Sequence, residues 1–333
     1  MGIINEQIAG IATALSPIVH NEILEYREAD ERKRGLSQKG EANKQRTMPF
    51  FLENETGSYV AEIPVVSGNA MRGLMRRLLV DFSLDVLGIT LGDLFAKSDD
   101  ARKVLQFVRG GGLTAKGIEI KAVTAGTYER IQGAIPFLAL LGGVFQGHHF
   151  EGACRIGILI PLIAETYPRY QAMIGESFGP EFSSGAGLPQ LSEFGLARPV
   201  RYTRRAENEK IETADKEAMI YGTYAIPAGT RFFTYNTCSA ANPGASLAFQ
   251  AMFALLEQYG YVGGMASKGH GQMAFQFKYA ANHPYVAIDL KKAIQSYSDH
   301  LAAQKTEIIE ALQAIPKLLQ SDLRKTAQAG SEE

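Results

Sequence analysis

Residues 63–79 read IPVVSGNAMRGLMRRLL, and this stretch decides the fold. A short run of Val and Ile is followed by a Ser-Gly-Asn turn and then by apolar residues at helical spacing, which predicts a strand, a turn and a helix. Ser67 or Asn69 is suited to cap that helix, because its side-chain oxygen can accept a hydrogen bond from an amide of the first turn. The remaining amides of a helix start, together with the positive end of the helix dipole, favour a phosphate group. The alternative is an ordinary amphipathic surface helix.

Two arginines and a glycine add to this prediction. Arg72 and Arg76 are four residues apart and share one helix face, so both are candidate phosphate contacts. For Arg76 the alternative is a charge that only faces solvent. Gly73 costs about 1 kcal/mol against alanine inside a helix. That cost predicts that another backbone passes close to Gly73.

The composition of the 333-residue chain is that of a soluble globular protein, with 46% hydrophobic and 21% charged residues. The formal net charge of −1 excludes a global basic field, so any basic surface must be local. Two cysteines without CxxC spacing, Cys154 and Cys238, predict free buried thiols in a reducing compartment, although the pair could meet in space. No signal sequence is recognisable, and the longest apolar run, residues 134–145, is shorter than the ~20 residues of a membrane span. A cytoplasmic protein that makes no membrane contact is therefore expected.

Helical and strand patterns are mixed along the chain, which predicts an α+β fold built on a helix-covered sheet. Strands are predicted at residues 2–15, 117–127, 150–161, 224–237 and 272–278. Helices are predicted at residues 81–107, 134–141, 246–259 and 286–320, the last interrupted at Pro316. Residues 20–47 and 167–195 are predicted as long loops. The charged residues 201–219 have too little apolar surface to bury, which indicates a protruding hairpin or arm.

A glycine-rich segment, GYVGGMASKGHG at residues 260–271, is a second candidate for phosphate binding. Glycines let backbone amides face a phosphate without a side chain in between. The segment is not a Walker loop, because a strand follows it in place of a helix. The alternative is a flexible turn between a helix and a strand.

Histidines and acids offer less specific signals. His148 and His149 are adjacent, and on a strand they would point to opposite faces, so no shared metal ion and no cofactor are expected. His20 and Asn21 precede a stretch with many basic residues that ends with Lys44 and Arg46, which favours contact with RNA. The acids of that stretch could instead include a general base or a metal ligand.

Taken in order, three motifs resemble the RAMP superfamily of CRISPR proteins. They are IPxxSGNxxRG at residues 63–73, IPAGTxF at residues 226–232 and GGMxSKGxG at residues 263–271. The resemblance covers most of the chain and is to the backbone subunit that coats guide RNA in multi-subunit effector complexes. The type IV backbone subunit is the most similar class, and a type I backbone subunit is an alternative. Residues 20–47 and the C-terminal helices depart from the commoner type I and type III members.

The resemblance implies an RRM-like (ferredoxin-like) palm over residues 1–285 and a helical C-terminal tail over residues 286–333. The palm would carry a basic loop or web (16–60), a helical insertion (81–112), and a loop with a β-hairpin thumb (165–222). Copies of the subunit would assemble head to tail into a helical filament on guide RNA, beside other effector subunits, and target DNA or RNA would pair with the guide.

The resemblance also implies roles for particular residues. The RNA contacts would be Ser67, Gly68, Asn69, Arg72, Arg76, Gly263, Gly264, Met265, Ser267, Lys268, His20, Asn21, Lys44 and Arg46. The thumb would include Arg201, Arg204, Arg205, Ile211 and Met219, with Ile211 or Met219 as an apolar wedge between bases.

Catalysis is not implied. Type III relatives cut target RNA with an aspartate in the loop after the first strand, and Asp30 lies in that loop here, but its surroundings do not match the type III pattern. Two alternatives remain: a ribonuclease in which His20 or His270 is a general base, and a subunit that makes only protein contacts. The last alternative predicts that Arg72→Ala with Lys268→Ala leaves RNA affinity unchanged, whereas RNA coating predicts weaker binding and a shallower salt dependence.

Overall fold

The structure, a computed structural model, describes residues 3–21, 45–54, 57–112, 124–145, 147–179, 182, 188–191, 224–280 and 286–329. Asp30, Lys44 and the predicted thumb residues lie outside these ranges. Within them, no helix is both long enough and apolar enough to cross a membrane.

Ten strands and nine helices are used in the description that follows. The strands are β1 (Ile4–Ala14), β2 (Thr47–Asn54), β3 (Gly57–Pro64), β4 (Gly143–Phe145), β5 (His148–Phe150), β6 (Cys154–Arg155), β7 (Ile160–Pro161), β8 (Arg231–Ala240), β9 (Met273–Tyr279) and β10 (Val286–Ala287). The helices are α1 (Gly68–Leu87), α2 (Leu91–Leu94), α3 (Ser98–Gly110), α4 (Ala125–Ala134), α5 (Pro136–Leu141), α6 (Tyr167–Ile174), α7 (Pro243–Tyr259), α8 (Leu290–Ala303) and α9 (Lys305–Ala329).

The main sheet has the strand order β10-β9-β1-β8-β6, and β7 also pairs with β8. Every pairing in it is antiparallel. The first strand, β1, therefore lies in the middle, with Gly10 opposite Thr234 of β8 and Phe277 of β9. The hairpin β2–β3 forms a separate two-stranded sheet. A mixture of helices with an antiparallel sheet confirms the predicted α+β class.

Both faces of the sheet are covered at its centre. Side chains alternate along β1, so Ile8 and Ala12 enter the large core beneath α1, α5 and α7. Ala9 and Ile11 point the other way, into a second cluster with Ile174 of α6 and other apolar residues of the 162–182 region. Since these β1 side chains are buried, the described residues leave neither face of the sheet open to a large ligand at the centre of β1.

The C-terminal helices belong to the same core as the sheet. Tyr297 of α8 is fully buried, its hydroxyl lies 2.9 Å from Ser83 Oγ of α1, and its ring stacks on Phe82. Leu312 of α9 is buried in the same cluster. Helices α8 and α9 meet at Gln304, whereas Pro316 lies inside α9. The prediction that Pro316 interrupts the helix is therefore wrong.

Several predicted element boundaries also differ. The helical stretch 81–107 consists of the end of α1, α2 and α3, because Gly88 adopts a left-handed conformation (φ 64°) that ends α1. Thr124 caps α4 by accepting a hydrogen bond from the Thr127 amide, so residues 124–127 are not strand. Residues 167–174 form α6 rather than a loop. The strand predicted from residue 224 begins at Arg231, because residues 227–230 form a turn in which the Thr230 hydroxyl donates to the Pro227 carbonyl.

The two cysteines face each other across the sheet. Cys154 of β6 is directly opposite Cys238 of β8, and both thiols are buried and free. The prediction of free buried thiols is confirmed. In the next residue pair along these strands, Ala153 and Ser239, the Ser239 amide donates a hydrogen bond to the Ala153 carbonyl. Because hydrogen-bonded and non-hydrogen-bonded pairs alternate, the two cysteines form a non-hydrogen-bonded pair, in which side chains approach most closely.

Candidate nucleic-acid interface

The start of α1 is built as the sequence predicts, with Ser67 as the N-cap. Its Oγ accepts a hydrogen bond from the Ala70 amide at 3.3 Å, and its own backbone is extended. No acidic residue lies in the first turn, so no carboxylate of the helix neutralises the positive end of its dipole. Asn69 is exposed and Gly68 is half-buried, so the first turn reaches solvent.

The close backbone approach predicted at Gly73 occurs instead at Gly68. A Cβ on Gly68 would lie 2.6 Å from the Ile156 carbonyl oxygen, which no real side chain tolerates. A Cβ on Gly73 would meet only the end of the Arg77 side chain, at 3.7 Å. Among the described residues no protein backbone comes close to Gly73, so the prediction of a close protein backbone there is wrong; Gly68 is the residue that lets α1 begin against the neighbouring backbone.

The segment that follows β1, residues 15–21, connects the two predicted phosphate-binding elements. The Ser67 amide donates to Nε2 of His20 at 3.2 Å. The Gly264 amide donates to the carbonyl of Val19, the preceding residue, at 2.8 Å. The Gly271 amide donates to the Pro17 carbonyl at 2.9 Å. The start of α1 and the glycine-rich loop, far apart in the sequence, therefore contact adjacent residues of one short segment.

Glycine is required in the loop at residues 260–271 for two reasons, a close approach of another backbone atom and a left-handed backbone conformation. At Gly263 and Gly271, a Cβ would lie 2.4 Å from the Val19 carbonyl oxygen and 2.0 Å from the Val262 carbonyl oxygen, respectively. Gly269 has no atom near its missing Cβ, but its φ of 81° favours glycine. Met265 is the one described non-glycine residue with positive φ, at 61°. Gly263, Gly264 and residues 266–269 are exposed, so this backbone faces solvent.

His20 and Arg46 set the electrostatics beside the helix start. Burial lowers the pKa of the His20 imidazole, and the nearby positive charge of Arg46 lowers that pKa further. A neutral ring is required here, because Nε2 accepts the Ser67 amide proton. Arg46 is held by its amide, which donates to the His20 carbonyl, and its buried Nε has no hydrogen-bond partner among the described residues. Arg46 therefore brings a cation to this end of α1.

Arg72 and Arg76 have a different role from the predicted one. Arg72 donates to the carbonyls of Leu141 and Cys154. Arg76, only 5% exposed, donates to the carbonyls of Val108, Leu141 and Gly142. Val108 lies in the last turn of α3, and Leu141 ends α5, so both guanidinium groups cap helix C-termini, where carbonyls and the helix dipole attract cations.

The environment of Arg76 agrees with this internal role. Burial, followed by the adjacent charge of Arg72, lowers the pKa of Arg76 to about 10. Its donors are directed at the protein interior. The donors of both side chains reach protein carbonyls, so we leave Arg72 and Arg76 out of the candidate interface. For Arg76, which is buried, the alternative of a solvent-facing charge is wrong.

The other predicted contacts are placed as follows. Asn21 forms an isolated antiparallel β-bridge with Gln45, the residue before Arg46. Ser267 and Lys268 lie in the exposed part of the loop, whereas His270 is buried with its Nδ1 3.3 Å from the Pro17 carbonyl. His148 is buried and His149 exposed, on opposite faces of β5 as predicted. Across the ranges that the structure covers, no three His, Cys, Asp or Glu side chains group as a metal site.

Comparisons with known proteins show a similarity of fold. No protein-family model matches the sequence, and no curated protein matches it. A solved chain from a "Type IV-B CRISPR Complex" has a similar structure, with a TM-score of 0.51 and 18% identity over 83% of this chain and 92% of that chain. A second solved structure, Csc2 of Thermofilum pendens, aligns with a TM-score of 0.39 and 14% identity over 95% of this chain and 88% of that chain. The chain thus shares its fold with a subunit of a CRISPR complex.

Proposed function

We propose that this protein is a non-catalytic backbone subunit of a CRISPR effector complex, in the RAMP superfamily and most similar to the type IV class. In this role it binds the sugar–phosphate backbone of guide RNA and leaves the bases free to pair with target DNA or RNA. Its partners are guide RNA, copies of itself and other effector subunits. The fold shared with a chain of a type IV-B complex supports the class of assembly.

The strand order supports an RRM-like palm. Following the chain, β1, α1, β6, β8, α7 and β9 form a βαββαβ series, and their order across the sheet is β9-β1-β8-β6. This is the split βαβ arrangement of ferredoxin-like domains. Under this proposal, residues 165–222 supply the thumb, and Arg201, Arg204, Arg205, Ile211 and Met219 remain its proposed residues.

The observation that carries the RNA-binding role is the junction at residues 15–21. The start of α1, a cation at Arg46 and an exposed glycine-rich backbone all border this one segment. Such groups recognise phosphate and read no base, which is what coating an arbitrary guide sequence requires. The proposed RNA contacts are Ser67, Gly68, Asn69, Gly263, Gly264, Met265, Ser267, Lys268, His20, Asn21 and Arg46, with Lys44 added from the adjoining stretch.

Head-to-tail assembly is part of the proposal. A heterologous contact that does not close into a ring produces an open helical filament. A net charge of −1 suits a subunit that must stack on its own copies while keeping cations for the RNA path.

The test is the salt dependence of RNA affinity. For wild-type protein, Lys268→Ala and Lys291→Ala, the dissociation constant for a single-stranded RNA is measured across a range of salt concentrations. Lys291 is an exposed lysine of α8 and serves as the matched control. We expect Lys268→Ala to weaken binding to every RNA sequence and to reduce the salt slope by about 1, with Lys291→Ala close to wild type. Equal slopes for all three proteins would place the RNA path elsewhere.

The non-catalytic part has its own test. Target or repeat RNA is incubated with the protein and a divalent metal ion, and the products are separated by size. Intact RNA is expected. Specific cleavage that Asp30→Ala or His270→Ala abolishes would instead establish the ribonuclease alternative.

A further inference from the structure

Two tyrosines lie beside the proposed phosphate path without a role in it. Tyr259 is the last residue of α7 and is 43% exposed, and Tyr261 follows after a single glycine. Gly260 adopts a left-handed conformation with φ of 66°, which ends the helix and turns the chain between the two rings. The ring centroids are 5.9 Å apart with an interplanar angle of 67°, an edge-to-face pair.

The backbone shows that Tyr261 shares a surface with the glycine-rich loop. Tyr261 forms a bridge with Gln272, and Val262 donates to the Gly271 carbonyl, so the chain is extended there. Successive side chains of an extended chain point to opposite sides. Val262 is 3% exposed and enters the core, so Tyr261 lies on the outer side together with Gly263.

The same short segment that joins the two phosphate-binding elements is linked to Tyr261 through one intervening residue, Gln272. Leu15 donates to the carbonyl of Gln272, the residue that bridges to Tyr261. From Leu15 to His20, the segment therefore lies first beside Gln272, the bridge partner of Tyr261, then beside the glycine-rich loop and then beside the start of α1. Five residue steps span at most about 18 Å and two strand spacings add about 10 Å, so all three features lie within reach of one short stretch of nucleic acid.

We propose that Tyr259 and Tyr261 form a base-stacking site at one end of the RNA path. This inference rests on the proposed RNA-binding function and adds a contact to bases beside the phosphate contacts around residues 15–21. Two rings at a steep angle form a corner, in which one nucleobase can stack on one ring and touch the edge of the other. Stacking of this kind tolerates every base, because each base has an aromatic face.

The test uses two probes of equal charge. One is a single-stranded oligoadenylate RNA of about twelve nucleotides, and the other is the same ribose–phosphate chain without bases. Phosphate contacts alone would bind both equally. We expect wild-type protein to bind the oligoadenylate about tenfold more tightly than the abasic chain. In the double variant Tyr259→Leu, Tyr261→Leu, this preference should largely disappear while the affinity for the abasic chain stays the same.

Two further variants make the result specific. Tyr259→Phe with Tyr261→Phe keeps both rings and should keep the preference, because the hydroxyl groups are not required. Tyr59→Leu, on the exposed hairpin β2–β3, is the control for loss of a surface tyrosine and should behave as wild type. The Phe variant also serves as a folded reference if the Leu variant loses its thermal unfolding transition.

Each outcome has one meaning. Binding of both probes with equal affinity, or a preference that survives in the double Leu variant, overturns the stacking site and leaves the phosphate path intact. A wild-type protein that binds neither probe overturns the proposed RNA-binding function itself.

Discussion

The backbone amide of Ser67 donates a hydrogen bond to Nε2 of His20 across 3.2 Å. This bond joins the residue that caps α1 to the segment that leaves β1, and it requires a neutral imidazole. Ser67 thus takes part in two contacts, with its Oγ holding the Ala70 amide inside the helix. The position of the helix start therefore depends on the protonation state of a histidine.

Acidification should loosen this junction. Burial and the charge of Arg46 lower the pKa of His20 below its ordinary 6.5. Because the unfolded chain then binds more protons than the folded one, the contribution of His20 is fully present above pH 6.5 and is lost as the pH falls through the lowered pKa. We expect the free energy of unfolding, measured with urea, to fall less between pH 7.5 and 5.5 in His20→Gln than in wild type. An identical fall in both proteins would show that His20 is not held neutral.

Removing the Arg76 guanidinium should destabilise the fold without changing the RNA site. Arg76→Met removes the hydrogen bonds to the carbonyls of Val108, Leu141 and Gly142, of which only Leu141 keeps a second donor, Arg72, and hydrogen bonds to a charged group are worth about 1.5–3 kcal/mol each. We expect a loss of about 3 kcal/mol in the free energy of unfolding, since the flexible Met side chain refills part of the space.

The matched control is the neighbouring exposed arginine. Arg77→Met should change the free energy of unfolding by less than about 0.5 kcal/mol. RNA affinity of folded Arg76→Met should equal that of wild type. A stable Arg76→Met protein with weakened RNA binding would return this residue to the interface.

The sequence predicts the start of α1 well because capping is local. Ser67 needs only the amide three residues ahead, and that relation is visible in the sequence. The partners of Arg72 and Arg76 are not visible there, because they are backbone carbonyl groups of a strand and of two helix ends that lie 32 to 82 residues away along the chain. The sequence shows only that Arg72 and Arg76 share one helix face, which is why it predicts both as phosphate contacts.

Other differences have the same origin. Threonine, the residue at position 124, is favoured both in strands and at helix starts, so tertiary packing decides which of the two structures forms. The meeting of Ser67, Gly264 and residues 15–21 depends on β1 lying between β8 and β9, which no local pattern predicts. The two motifs that border the interface, at residues 63–73 and 263–271, are recognisable in sequence, whereas Pro17 and Val19 contribute only backbone and carry no signal.

Two glycines of α1 should respond oppositely to alanine. Gly68→Ala forces a Cβ to within 2.6 Å of the Ile156 carbonyl and should destabilise by about 1–3 kcal/mol. Gly73→Ala meets only a side-chain end at 3.7 Å and should stabilise by about 0.5–1 kcal/mol, because alanine is the better helix former. Thermal unfolding of both variants gives the comparison. A stabilised Gly68→Ala protein would show that α1 does not begin against Ile156.

The cysteine pair should form a disulfide under oxidising conditions. A non-hydrogen-bonded antiparallel pair has Cα atoms about 4.5 Å apart, within the range a disulfide spans. Oxidised glutathione can supply the oxidant, with two reduced glutathione molecules released per bond. Burial raises the pKa of both thiols, that of Cys238 to about 12, so the reaction should be slow.

Mass spectrometry of digested, unreduced protein provides the measurement. We expect a cross-linked peptide pair that contains Cys154 and Cys238, and none in Cys154→Ser. Closing a loop of this length should stabilise the oxidised protein by about 4 kcal/mol unless the bond is strained. Two free thiols after prolonged oxidation of folded protein would contradict the register of β6 on β8.

The central place of β1 has a consequence for how the protein is made. Among the strands of the main sheet, β1 is synthesised first. Its two neighbours, β8 and β9, are synthesised late, and of the described strands in this sheet only β10 follows them. At typical translation rates of 5–20 residues per second, β1 waits on the order of ten seconds or more with both hydrogen-bonding edges open. An apolar strand in that state is a template for wrong pairing. The interval before β8 and β9 emerge is therefore the stage at which wrong pairing of β1 competes with folding, and we expect slower aggregation at low temperature, or a chaperone that covers residues 4–14, to raise the yield of folded protein.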